Sequence, residues 1–143
     1  MCIIVDANSS HELVNRSEDG LPVLRWLLNP KRRSGRIVGG QLVKELVKAG
    51  FADTLAVLSR AGRLHRAPDR IVDERAEALR ESGSCVSNDQ HVVALALETG
   101  CDIVFTKDKA LHQDLKSHAP TGHRIAIYQR ATYARLLREC RCP

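Results

Sequence analysis

The sequence predicts a three-layer α/β/α domain built on a central, mainly parallel sheet. Three observations carry that expectation. Short β-branched apolar runs (CIIV at 2–5, IVFT at 103–106, RIAIY at 124–128) recur between stretches of helical periodicity. The first two are continuous rather than alternating, as strands covered on both faces are. Both lead into an aspartate and a helix start, as where a strand of an α/β unit passes into its crossover. At 143 residues, with no internal repeat, low-complexity tract or linker, residues 1–143 are expected to form one domain.

In chain order, residues 1–5 read as a central strand, and Asp6-Ala-Asn-Ser-Ser ends it and starts a helix. Residues 15–20 form a polar loop, and 21–28 one or two helical turns around Trp26. The densest basic run, residues 30–36, carries Pro30 and Gly35 and is expected to be a mobile loop. Residues 37–49 read as an amphipathic helix stopped by Gly50, with Val38, Leu42, Val43, Leu46, Val47 and Ala49 on one arc and Glu45 at its border. A second helix at 51–58, an edge strand at 64–67 and a charged surface helix at 69–82 follow. Asp89 opens a helix that Gly100 closes, and the strand 103–106 comes next. Helical turns at 109–116, a loop at 120–122, a strand at 124–128 and a basic helix at 131–139 complete the chain.

Composition narrows the function classes. Aromatics are only 3% against 43% apolar residues, so the core is expected to be aliphatic. Net charge is +5 with pI near 9.2, which suits a polyanionic partner. The five cysteines are odd in number and include no C-x-x-C, and are read as reduced thiols of a cytoplasmic protein. Cys140 and Cys142 are read as loose thiols of the terminus. CIIV meets Asp6 at once and VVALAL is too short to span a bilayer, so neither a signal peptide nor a membrane span is expected. There is no P-loop and no G-x-G-x-x-G. A haloacid-dehalogenase-type phosphatase would want an acid where Asn8 stands.

Four acids occupy informative places: Asp6, Glu45, Asp89 and Asp108. Singly, three of them are ordinary helix caps, and Glu45 is an ordinary solvated helix residue. Together they point elsewhere. Asp6 and Asp108 fall at the carboxyl ends of strands, the ligand-binding rim of open α/β sheets. Asp89, three and four residues before Val92 and Val93, starts its helix at the same rim. Gathered carboxylates repel one another unless a cation joins them, and hard oxygen donors favour Mg²⁺ or Mn²⁺.

Asp6 and Asn8 after IIV, Glu45 in a mid-chain helix, ND-x-x-V-V-A-L-A around Asp89 and IVF-T-K-D ending at Asp108 together resemble the PIN domain family over nearly the whole chain. The resemblance implies a parallel sheet flanked by helices, an acidic cluster of Asp6, Glu45, Asp89 and Asp108, and one or two divalent ions held chiefly by Asp6, Asp89 and Asp108. It implies metal-dependent hydrolysis of single-stranded RNA, with the metal activating a water for attack on the phosphodiester. Thr106 matches the family's small polar residue beside the last acid, and Asn8 a polar neighbour of the first. Where many members carry a further acid and a Phe, this chain has Ala110 and Leu111, and Asp114 lies beyond them. Toxin-type members imply an antitoxin protein as partner, and the family implies a homodimer. A PIN fold that binds RNA or protein without cutting is the alternative reading. Lys107 and Lys109, bracketing Asp108, and Arg32, Arg33 and Arg36 on the basic loop are expected to contact phosphates. His91 and His112 flank the acids with no partner evident in the sequence, and Arg130, Arg135, Arg138 and Arg141 are read as a solvated or partner-facing surface.

Overall fold

The computed structural model describes residues 2–139; Cys140 and Cys142 lie outside the described residues. Five parallel strands form the sheet, in the order β3-β2-β1-β4-β5. They are β1 (Cys2–Val5), β2 (Gly35–Val38), β3 (Leu64–Arg66), β4 (Ile103–Phe105) and β5 (Ala126–Tyr128). The helices are α1 (Ala7–Val14), α2 (Leu21–Leu28), α3 (Gln41–Lys48), α4 (Ala52–Arg60), α5 (Asp69–Ser82), α6 (Gln90–Thr99), α7 (Lys109–His118) and α8 (Leu136–Glu139). The α/β architecture with a parallel sheet between helices is as the sequence predicts.

Because side chains alternate along a strand, β1 and β4 feed two cores. Ile4 and Val104 face one with α3, α5, α6 and α7; Ile3, Val5, Ile103 and Phe105 face the other with α1 and α2. The first core is aliphatic as expected. The second takes three aromatics, Trp26, Phe105 and Tyr128, with Phe105 and Tyr128 edge to face at 4.8 Å. Among the described residues, no helix is long and apolar enough to cross a membrane.

Several expectations need correction. Ile37 and Val38 belong to β2, in register with β1 (Ile4↔Ile37), and the helix begins only at Gln41. Gly39 and Gly40 separate the two: Gly40 has φ +57°, and a Cβ on Gly39 would sit 3.1 Å from Ala67 and Leu95 atoms. Helical periodicity ran through this break because strand and helix both present apolar residues. The shorter helix buries Leu42 and Leu46 while Val47 and Ala49 face out. Arg36 is likewise in β2, not on the loop, and is 0% exposed. The terminal helix divides into a 3₁₀ turn (Ala131–Tyr133) and α8, with the Ala131 N–H taken by Asp19 Oδ1 at 3.0 Å. Cys2 is disulfide-bonded, contrary to the expectation of reduced thiols throughout; a count and a spacing do not reveal which sulfurs a fold brings together.

Candidate active site at the carboxyl end of the sheet

The strand order reverses between β1 and β4, which places a crevice beyond their carboxyl ends. Asp6 follows β1, and Thr106 to Asp108 follow β4. The ladder extends one step past the strands, with Asp6 N–H donating to Phe105 O at 3.0 Å. That register sets Thr106 opposite Asp6, and its hydroxyl donates to Asp6 Oδ2 at 3.1 Å. The Thr106 oxygen also accepts the Asp108 N–H at 3.2 Å. Asp108 in turn caps α7, its Oδ1 accepting from Ala110 N (2.9 Å) and Leu111 N (3.4 Å). The cap uses one carboxylate oxygen and leaves the other.

Asp89 arrives from the helix that precedes β4, whose N-terminus lies at this same rim. A residue on α7, beyond Asp108, explains how it is held. Asp114 is buried in α7, and its carboxylate accepts from Val86 N, Ser87 N and Ser87 Oγ at 2.8, 2.9 and 2.5 Å. The Ser87 hydroxyl oxygen then receives the Asp89 N–H at 3.3 Å. Glu45 comes from α3 and is oriented at both oxygens. Gln41 Nε2 donates to Oε1 at 3.0 Å, and His91 Nε2 reaches Oε2 at 3.1 Å. His91 is itself buried, and burial lowers its pKa; because a carboxylate only accepts, Nε2 is the donor to Glu45.

Electrostatics tie the acids together. Burial pushes Asp89 up to about 6, and the charges of Asp6, Asp108 and Glu45 add to the rise. Asp6, 3% exposed, is also raised, by burial first. The Thr106 hydroxyl, the Asn8 backbone N–H and His91 oppose that rise, and Asp108 adds to it. Among the described residues no Lys or Arg forms an ion pair with Asp6, Asp89 or Asp108, and Glu45 has only His91. No three of the four acids bring oxygens within 4.8 Å of one another. This set of uncompensated oxygens fits a divalent ion that keeps part of its water, as Mg²⁺ does.

The expected phosphate contacts are distributed differently. Lys107 Nζ is held by Asp19 at 2.8 Å and Glu12 at 3.3 Å. Buried Arg36 donates to Ser10 Oγ (2.6 Å) and Val5 O (3.5 Å), so it is no exposed phosphate contact; its apolar surroundings, strand pairing on both sides, take it from solvent. Lys109, Arg32 and Arg33 are exposed. A groove of about 1110 Å³ runs along β5 and α7, lined in part by His112, Lys116, His123, Arg124 and Arg135. His112 also has Nε2 2.8 Å from Thr106 O, while none of the four acids lines the groove. Sequence reasoning missed this groove because its cations come from separate elements. It left Asp114 unassigned because a capping carboxylate twenty-five residues after Asp89 has no local pattern.

No family model matches the chain, and no curated protein does. Among solved structures, a chain of VapBC-1 from nontypeable Haemophilus influenzae is similar, with TM-score 0.53. The match covers 92% of this chain and 99% of that one at 16% identity, a likeness of fold. The five-stranded parallel sheet flanked by helices is consistent with a PIN-like fold.

Proposed function

We propose that the protein is a metal-dependent endoribonuclease of the PIN type, hydrolysing phosphodiester bonds of single-stranded RNA. The observation that carries this reading is the gathering of Asp6, Glu45, Asp89 and Asp108 at the switch point with, among the described residues, no Lys or Arg ion-paired to Asp6, Asp89 or Asp108. The likeness of fold to a VapBC-1 chain supports the fold on which this reading rests, and within the reading a toxin partnered by an antitoxin stands beside a processing nuclease.

In this reading Asp6, Asp89 and Asp108 hold one Mg²⁺ or Mn²⁺, and Glu45 stands at its margin or beside a second ion. When bound, the ion supplies Lewis-acid activation of water and neutralises charge at the phosphodiester. The chain's own residues set the geometry. Thr106 fixes the Asp6 carboxylate by its hydroxyl, and the α7 cap turns one oxygen of Asp108 inward to the helix, leaving the second for the cation. Gln41 and His91 keep Glu45 from rotating. Lys116, Arg124 and Arg135 of the groove along β5 and α7 are the cations we assign to the RNA backbone, contacts that give affinity without base preference.

Labelled single-stranded RNA incubated with Mn²⁺, Mg²⁺ or EDTA tests the reading. Metal-dependent cleavage that falls at least about 10²-fold in Asp89→Asn is expected. Binding without cleavage in either metal favours a non-catalytic RNA-binding module, and cleavage that survives EDTA and the substitution removes the acids from the mechanism.

A further inference from the structure

Beside the loop that carries Asp89 lies a second set of donors, of different chemistry. Cys85 Sγ, a carboxylate oxygen of Asp114 and a ring nitrogen of His118 all fall within 4.8 Å of one another. Cys85 belongs to the segment between α5 and α6, and Asp114 and His118 stand four residues apart on α7, on one helical face.

Two features beyond proximity point to a cation. The first is Asp114 itself, 1% exposed and without a Lys or Arg partner among the described residues. Burial pushes its pKa up, while the hydrogen bonds from Ser87 and Val86 and the neighbouring His118 lower it, for a net downward shift. Buried anions are otherwise paired or bound to metal. A carboxylate offers about four lone-pair directions, and three are used: one on Oδ1, two on Oδ2. Oδ1 therefore retains one.

The second is the tautomer of His118. Its Nδ1 lies 2.9 Å from the backbone carbonyl oxygen of Asp114, which can only accept, so Nδ1 carries the proton. In the neutral ring, Nε2 is then the lone-pair nitrogen. An imidazole whose other N–H is bonded to a backbone carbonyl is the arrangement ligating histidines use. Nε2 faces the Ser84 hydroxyl at 3.0 Å, and that hydroxyl has a second neighbour, Ser82 Oγ, at 2.8 Å to receive it when displaced.

We propose that Cys85, Asp114 and His118 form a zinc site, separate from the four-acid cluster, which clamps the loop before α6 to α7. One thiolate, one imidazole and one carboxylate select zinc over magnesium. Tetrahedral coordination would set the three donors roughly 3.3–3.6 Å apart, so closure needs displacements on the order of 1 Å. A water completes the fourth position. On binding, the Cys85 S–H bond breaks, a Zn–S bond forms and the proton passes to solvent, with no change of oxidation state. The clamp lies one hydrogen bond from Asp89, since Ser87 Oγ bridges Asp114 and the Asp89 N–H.

Cobalt substitution reads the site directly. The full chain is titrated with Co²⁺ in excess Mg²⁺, and a thiolate-to-cobalt charge-transfer band is followed. One Co²⁺ per chain, displaced by one equivalent of Zn²⁺ and not by Mg²⁺, is expected. Cys85→Ser should lose the band, His118→Gln should weaken Co²⁺ binding at least about tenfold, and Asp89→Asn should leave both unchanged. Circular dichroism monitors folding; where Cys85→Ser does not fold, His118→Gln carries the test. No band in the wild type, or a band and affinity that persist in the variants, overturns the proposal.

Discussion

Two acidic groups stand on either side of Lys107, and they are built in opposite ways. Glu12 and Asp19 share the Lys107 ammonium, and each has a further donor, the Ser17 hydroxyl for Glu12 and the Ala131 N–H for Asp19. Both pKa values lie below the ordinary range, Glu12 through Ser17 first and then Lys107, Asp19 through Lys107 first. One residue away, Asp108 joins Asp6 and Asp89, where Asp89 is raised to about 6 and, among the described residues, no lysine or arginine forms an ion pair. Acids that serve structure here are satisfied by the protein's own donors. Those at the switch point are left short of positive charge, the condition in which an external cation stabilises most.

The comparison is broken most severely by exchanging the two groups' roles. Asp89→Asn is expected to reduce RNA cleavage at least about 10²-fold while leaving the metal-free protein as stable or more so. Lys107→Met is expected to keep kcat and lose about 1 kcal/mol of stability to denaturant, since it breaks a partly exposed network. A stability loss in Asp89→Asn comparable to that of Lys107→Met would erase the distinction. Next, Mn²⁺ at a hundred times its Kd should stabilise the wild type by about 2.7 kcal/mol, read as a rise in Tm, and Asp89→Asn by much less.

A smaller effect follows from pH. The folded state raises the Asp89 pKa from 3.8 to about 6, so it holds that proton more tightly than the unfolded chain. The resulting stabilisation is complete below pH 3.8 and is lost as pH rises through about 6. In EDTA the wild type should therefore lose on the order of 1 kcal/mol relative to Asp89→Asn between pH 4 and 7, less than the full shift implies because the group is partly solvated. The difference between the two proteins isolates this contribution from Glu12, Asp19 and Asp114, whose lowered pKa values act in the opposite sense. Smallest of all is Arg36→Met. Burial alone lowers this guanidinium to about 10, and its Nε and Nη1 have no hydrogen-bond partner. Stability should change by less than about 1 kcal/mol, with no effect on the salt dependence of RNA binding. Lys116→Ala or Arg124→Ala should each lower the salt slope by roughly 1.

The fold was legible because its signals are local. CIIV and IVF are continuous apolar runs, α5 is bounded by Pro68 and Gly83, and Gly100 closes α6 with φ +65°. Misreadings arose where two elements share one apolar pattern, as at Ile37 and Val38 before the Gly39-Gly40 turn. Arg36 looked like loop because its neighbours Lys31 to Arg33 are basic, yet strand pairing with β1 and β3 buries it. At the candidate site, the placement of Asp6, Asp89 and Asp108 at one rim follows from strand ends and a helix start, which sequence displays. The His91–Glu45 pair and the Asp114 cap of the Ser87 loop span 46 and 27 residues, and such contacts leave no periodic trace. Lys107 shows the converse: adjacency to Asp108 in sequence did not foretell that its ammonium would turn to Glu12 and Asp19.

The most direct test of the central claim is calorimetric titration of Mn²⁺ into the wild type and Asp89→Asn near pH 6, in two buffers of different ionisation enthalpy. Binding by the wild type with measurable proton release, lost or strongly weakened in Asp89→Asn, is the predicted result, because Asp89, raised to about 6, is partly protonated at this pH and the cation must displace that proton. Equal affinity and equal proton release in the two proteins would contradict it, and would mean that the uncompensated acids are not where the metal binds.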